Sequence, residues 1–379
     1  MLINNELIPF WTVNGQVYYN QFNAWMAVGS DDSVKPQFHI YDSAFDSVDW
    51  TQDPAQSWDE LVLHRCLQLR HKYQHLCLLY SAGRDSHHIL RSFANNKILL
   101  DEIIVVDLTL NPLKHPEVDL MMIPLAQDYV KNYNPACKIS RINVDFRDYE
   151  SYFTELWSES PVMAGMNGQY QPSNYLWLIN EHLGGRMPSG TGLITGVDKP
   201  RLSLKDGWIQ SVFYDTVFDW SLFTTLAFDH FYVSPDLPEL YVKQCHMIIN
   251  WWEENMPNID GETIDKFIND PRSDHYNNYN LACGRGPAVD LNFQGQNGRN
   301  KYGSGNHAVF QILQRQAREN KWCSFNHWTE NYNWIKARAP QAFNLVEPKS
   351  GFKNANSNSL KSILSKARRL REWNPQINS

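Results

Sequence analysis

The sequence predicts an α/β fold with a doubly wound parallel sheet, preceded by a small β-rich N-terminal cap and followed by a mostly helical C-terminal region. Three observations carry that expectation. The run His75-Leu76-Cys77-Leu78-Leu79-Tyr80 has the length of a strand, stops at the small residues Ser81-Ala82-Gly83, and gives way to a helical pattern with Ile89, Leu90 and Phe93 on one face. The run Ile103-Ile104-Val105-Val106-Asp107-Leu108 is rich in β-branched residues on both faces, as in parallel strands covered on both sides. Beyond it, helix and strand patterns alternate: a helix from about Pro116 to Tyr133, a strand from Lys138 to Val144, helical patterns at Tyr149 to Trp157 and Ser173 to Leu183, and a strand beginning at Thr191.

Taken in order, residues 1–56 read as the β-rich cap, 57–215 as the α/β domain and 216–379 as the mostly helical region. In the cap, Ile8–Val13 meets Gln16–Tyr19 across Asn14-Gly15, a turn pair suited to two positive φ angles. Ser57-Trp58-Asp59-Glu60 is a capping box that opens a helix leading into the first sheet strand. Leu202–Leu204 and Trp208–Phe213 flank Lys205-Asp206-Gly207 as a second hairpin. Asp236-Leu237-Pro238-Glu239 starts a helix with Leu240, Tyr241, Cys245, Ile248, Ile249 and Trp252 inward. Residues 271–306, rich in Asn, Gly and Tyr, read as a functional lid or a disordered insert. Leu360 to Arg371 reads as a basic amphipathic helix, either a solvated face, an RNA backbone contact, or a carrier of Lys353, Lys361 or Lys366 to the site.

Composition narrows the class. A chain of 379 residues with 42% hydrophobic and 20% charged residues can bury a large core. No apolar run approaches the ~20 residues of a membrane helix. The start Met1-Leu2-Ile3-Asn4-Asn5-Glu6 lacks a basic signal-like segment. A cytoplasmic protein without a membrane partner is expected, and a homo-oligomer is left open. The 6 cysteines are scattered without a C-x-x-C pair, which argues for buried thiols over a metal ribbon or a disulfide framework. A net charge of −7 gives no general attraction to nucleic acid.

The strand-to-helix turn carries the chemistry. The first N–H groups of a helix lack internal partners and point out of its positive end, so a phosphate placed there collects several charge-assisted hydrogen bonds. Gly83 lets the backbone approach, and Ser81 and Ser86 add hydroxyls. Asp85 repels bare phosphate and suits it only through a cation, which implies Mg²⁺. The spacing is not that of a Walker loop.

Ser81-Ala82-Gly83-Arg84-Asp85-Ser86 resembles the S-G-G-x-D-S pyrophosphate loop of the ATP pyrophosphatase superfamily, also called adenine nucleotide alpha-hydrolase-like, in its asparagine-synthetase-like branch. Ala82 stands where that family has glycine, and a positive φ there would strain it. The branch has a second motif, S-G-x-x-x-D-E, at the end of a later strand; a reduced form is similar here in Thr195-Gly196 with Asp198, while Lys199 replaces the glutamate.

The resemblance covers about residues 57 to 200 and implies an ATP-dependent synthetase. In such an enzyme a carboxylate or carbonyl oxygen attacks the α-phosphorus, releasing pyrophosphate, and an amine or ammonia then displaces AMP. Loop N–H groups, Ser81, Ser86 and Lys199 would stabilise pyrophosphate, while Asp85 and Asp198 would hold Mg²⁺. Asp107, at the end of its strand, either faces the nucleotide or caps the strand. Leu2 occupies the place of the family's nucleophilic cysteine, so no glutaminase is expected. Two other readings stand: an RNA-modifying enzyme whose acceptor is RNA instead of a small molecule, and a nucleotide-binding protein that has lost the chemistry.

Overall fold

The computed structural model describes residues 9–18, 33–109, 118–145, 186–196, 200–213, 227–255, 282–284 and 364–373, with Ala24, Ala27 and Val28. The helical patterns expected at Tyr149 to Trp157 and Ser173 to Leu183 lie outside these residues, as do most of 271–306, Asp198, Lys199, Lys353 and Lys361.

Local chemistry sets the first elements. The strands β1 (Phe10–Val13) and β2 (Gln16–Tyr18) form the expected hairpin, with Asn14 at φ 49° and Gly15 at φ 79°, and β3 (Gln37–His39) adds to β1. A short helix α1 (Asp42–Asp46) follows. Helix α2 (Trp58–Lys72) opens on the full capping box: Ser57 Oγ accepts from the Glu60 N–H at 3.3 Å and Glu60 Oε2 accepts from the Ser57 N–H at 2.7 Å.

Strand β4 (His75–Leu79) then leads to helix α3 (Arg84–Asn95), β5 (Glu102–Thr109), a π-helical turn (Val118–Met122) continued by α4 (Ile123–Asn132), and β6 (Lys138–Asp145). After β7 (Thr191–Thr195) come the hairpin β8 (Arg201–Lys205) and β9 (Trp208–Val212), strand β10 (Ala227–His230), helix α5 (Pro238–Asn255) and strand β11 (Arg368–Glu372).

The protein is α/β. Its central sheet has 5 strands in the order β10-β7-β4-β5-β6, and every neighbouring pair is parallel. From β4 the chain builds outward through β5 and β6, then returns to β4's other edge with β7 and β10. The order therefore reverses between β4 and β7. In open α/β sheets the strand ends at such a reversal form the crevice in which ligands bind.

Two apolar cores hold the molecule. The first packs Leu61, Cys66 and Leu69 of α2, Ile89 and Phe93 of α3, and Ala126 and Tyr129 of α4 with Leu76, Leu78, Ile103, Val105 and Ile194 of the sheet. The second joins Trp11, Phe38 and Phe45 to Leu202, Ile209 and Phe213, to Tyr241, Ile248, Ile249 and Trp252 of α5, and to Leu370. It thus draws side chains from all three segments of the sequence reading, with a 3-stranded sheet β11-β9-β8 at its edge.

Strand β11 corrects the expectation of a basic amphipathic helix reaching Arg371. Arg368 and Leu370 are buried while Arg369 is exposed, the period-two pattern of a strand, and β11 pairs antiparallel with β9. An inward arginine is stable here because its guanidinium lies 5.2 Å from the Trp50 ring, 5.5 Å from Phe213 and 5.6 Å from Phe45, and donates to Asp42 at 2.9 Å. Lys366 pairs with Asp46 and Arg371 with Glu253. Among the described residues no helix is long and apolar enough to cross a membrane.

Candidate functional site

Tyr80-Ser81-Ala82-Gly83 links β4 to α3 at the carboxyl end of the sheet. Gly83 is the N-cap, extended at φ −66° and ψ 160°, and it lays no side chain over the positive end of the helix. Ala82 sits at φ 53°, in the left-handed region that favours glycine. That conformation costs an alanine about 1–2 kcal/mol. The methyl group is fully buried in the first core, which offsets part of the strain.

The two serines do different work. The Gly83 N–H donates to Ser81 Oγ at 3.2 Å, and the Ser81 N–H donates to Ser86 Oγ at 3.3 Å. Ser86 Oγ also donates to the Gly83 carbonyl at 3.3 Å and lies 3.2 Å from Ser81 Oγ. Ser86 is buried and braces the loop from inside, while Ser81 is exposed at its mouth. Arg84 and Asp85 form the start of α3, both half-buried.

The strand β7 brings Thr195 and Gly196 to the same place. Thr195 is buried at its end, 2.9 Å from His230 Nδ1 on β10. Gly196 follows, and its backbone runs against the first turn of α3: a Cβ at this position would lie 3.0 Å from Asp85 Cβ, 3.1 Å from the Asp85 carbonyl carbon and 3.1 Å from Ser86 N. Two stretches more than a hundred residues apart in the chain therefore meet at the sheet's reversal point. Gly196→Ala has no room without moving backbone, so it should lower the melting temperature by a few degrees; an unchanged melting temperature would show that the two backbones part at no cost. Asp198 and Lys199 lie outside the described residues.

Asp107, on the other side of β4, is buried and accepts from Arg141 Nε at 2.9 Å, with a second bond from Arg141 Nη2. Arg141 in turn reaches Asp119 at 2.6 Å. The carboxylate thus ties β5 to β6 and to the π-helical turn.

Sequence reasoning missed the supports behind the loop. The Tyr232 hydroxyl lies 2.8 Å from His88 Nδ1 and donates to the Asp85 carbonyl at 3.3 Å, fixing the first turn of α3 from beneath. Tyr80 OH and His87 Nδ1 are 2.9 Å apart. Burial, aided by Arg91, pushes the His87 pKa down to about 4. The His87-His88 pair was visible in the sequence, but its partner Tyr232 is remote in the chain.

His230 behaves like His87. Burial lowers its pKa from 6.5 to about 4; the Asp229 charge opposes this shift and the Arg65 charge assists it. A base whose folded pKa is depressed binds fewer protons folded than unfolded between those two values, so its contribution is complete above pH 6.5 and is lost as pH falls toward 4. The loss from this residue is about 3 kcal/mol at most. Urea unfolding across that pH window should show a steeper fall in stability for the native chain than for His230→Gln; parallel curves would refute a buried neutral imidazole.

The fold and site define an α/β protein with a strand-loop-helix turn at the reversal point of its parallel sheet. No protein-family model and no curated protein matches this chain.

Proposed function

We propose that the chain is an AMP- and pyrophosphate-forming synthetase of the ATP pyrophosphatase type, on a doubly wound sheet, that adenylates a carboxylate or carbonyl oxygen for attack by an amine or ammonia. The observation that carries the reading is the contact of Gly196 with the first turn of α3, which joins the two motifs across the reversal point between β4 and β7. The strand order supports a ligand crevice at that point.

In this reading the N–H groups at the start of α3 and the Ser81 hydroxyl receive the pyrophosphate part of ATP, and Ser86 keeps the loop in shape. The oxygen donors of this stretch, the Asp85 carboxylate and the Ser81 hydroxyl, fit Mg²⁺, which takes one or two carboxylates and completes its shell with phosphate oxygens and water. Asp85 would hold the ion, with Asp198 as the second carboxylate; bound there, Mg²⁺ supplies charge neutralisation on the phosphates. Lys199 would neutralise charge on departing pyrophosphate.

The test is pyrophosphate release from Mg-ATP with pools of amino acids, amines and transfer RNA as acceptors. Release that depends on one pool establishes the reaction class and narrows the acceptor. ATP binding with no release from any pool favours a nucleotide-binding protein without the chemistry, a reading that the strained Ala82 also supports. The RNA reading drew on a basic tail, yet Lys366, Arg368 and Arg371 there are paired with Asp46, Asp42 and Glu253.

A further inference from the structure

At the opposite end of the sheet from the loop, His75 and Cys77 lie two residues apart on β4 and so share one face. Glu102 is the residue directly across from Cys77 on β5. The ligand atoms His75 Nε2, Cys77 Sγ and a Glu102 carboxylate oxygen all lie within 4.8 Å of one another. We propose that His75, Cys77 and Glu102 form a zinc-binding site, separate from the ATP site and independent of the function assigned to it.

The chemistry of the three groups selects the ion. One imidazole, one thiol and one carboxylate make a mixed N, S, O set, which suits a borderline-soft divalent cation far better than Mg²⁺ or Ca²⁺. Zinc-to-ligand distances of about 2.0–2.3 Å put tetrahedral ligands about 3.5 Å apart, close to the 3.3 Å between His75 Nε2 and Glu102 Oε2 and within roughly 1 Å of the largest separation in the set. A thiolate and a carboxylate balance a dication, which makes the filled site neutral on a largely buried face.

The surroundings also fit entry and retention. Cys77 is fully buried and Glu102 is only 3% exposed, whereas the His75 side chain is 23% exposed and opens the site to solvent. Without metal, Glu102 is balanced by Lys138 at 3.1 Å and lies 3.3 Å from His75 Nε2. The Lys138 side chain is 68% exposed, so its ammonium swings into water when the ion arrives. Three protein ligands leave one position for water, the arrangement of an open zinc site.

The experiment is titration of the reduced, full-length protein with Zn²⁺ by calorimetry and with Co²⁺ by absorption, where a sulfur-to-cobalt charge-transfer band reports the thiolate. The expected result is one ion per chain with that band present. His75→Gln should weaken binding at least tenfold, Cys77→Ala should abolish the charge-transfer band, and Lys138→Met should tighten binding several-fold by removing the competing cation. His75 and Lys138 reach solvent, so those two variants keep the test decisive if Cys77→Ala fails to fold. No stoichiometric binding, or binding indifferent to His75 and Lys138, would overturn the proposal and leave a structural cluster in which Glu102 pairs with Lys138 and meets His75.

Discussion

In the proposed synthetase reaction, Asp85→Ala should lower pyrophosphate release by about 10²-fold or more, the scale on which removal of one preorganised electrostatic group acts on a charged transition state. The substitution isolates the carboxylate unusually well. Alanine keeps the Cβ that packs 3.0 Å from the position a Cβ would take on Gly196, and it keeps the carbonyl to which Tyr232 OH donates. The substitution also removes one negative charge from the first turn of α3, about 0.3–1 kcal/mol of helix-dipole interaction. The expected outcome is therefore a protein that melts within a few degrees of the native chain and barely turns over. Turnover at the native rate would remove the loop from the chemistry. Equal loss of stability and activity would mean that Asp85 serves the fold.

How much of this could be read from the chain depends on the range of each interaction. The hairpin turns at Asn14-Gly15 and Asp206-Gly207, the capping box at Ser57 and the strand-loop-helix unit at His75 to Asn95 are local, and their residues dictate them. The strain at Ala82 was also legible, since a glycine position filled by alanine is informative only if φ is positive, and it is.

The tail was misread because its apolar residues obey two periods at once. Leu364, Ala367 and Leu370 fall at helical spacing, yet the decisive inward residue is Arg368, whose burial depends on Trp50, Phe45 and Phe213 far away in sequence. The same holds for the site's supports. Tyr232 beneath Asp85, Arg141 against Asp107 and Gly196 against Ser86 are brought together by sheet order and register, which no local pattern encodes.

Asp229→Ala should destabilise the protein by about 3–5 kcal/mol, the usual consequence of stripping one partner from a buried charge pair. Asp229 lies on β10 and is almost fully buried. It accepts from Arg65 Nη2, from Lys72 at 3.0 Å and from Tyr73 OH at 3.0 Å. Burial pushes its carboxyl up, but the Arg65 and Lys72 charges win and hold it below the ordinary carboxylate value.

Removing that carboxylate strands a guanidinium with no exposed surface, leaving Arg65 the carbonyls of Phe231 and His230, each 3.1 Å away, and a long contact of 3.8 Å to Asp236. It also frees the Tyr73 ring, against which Gly192 of β7 runs so closely that a Cβ there would lie 2.2 Å from the ring. The clamp therefore holds α2 to β10 and seats β7, the strand that delivers Gly196 to the loop. The measurement is urea unfolding of Asp229→Ala beside Arg65→Met and the double variant. In the double variant the stranded charge is gone, so stability should recover part of the loss. Additive losses would show that the two residues act separately and that β7 is seated by its apolar contacts alone.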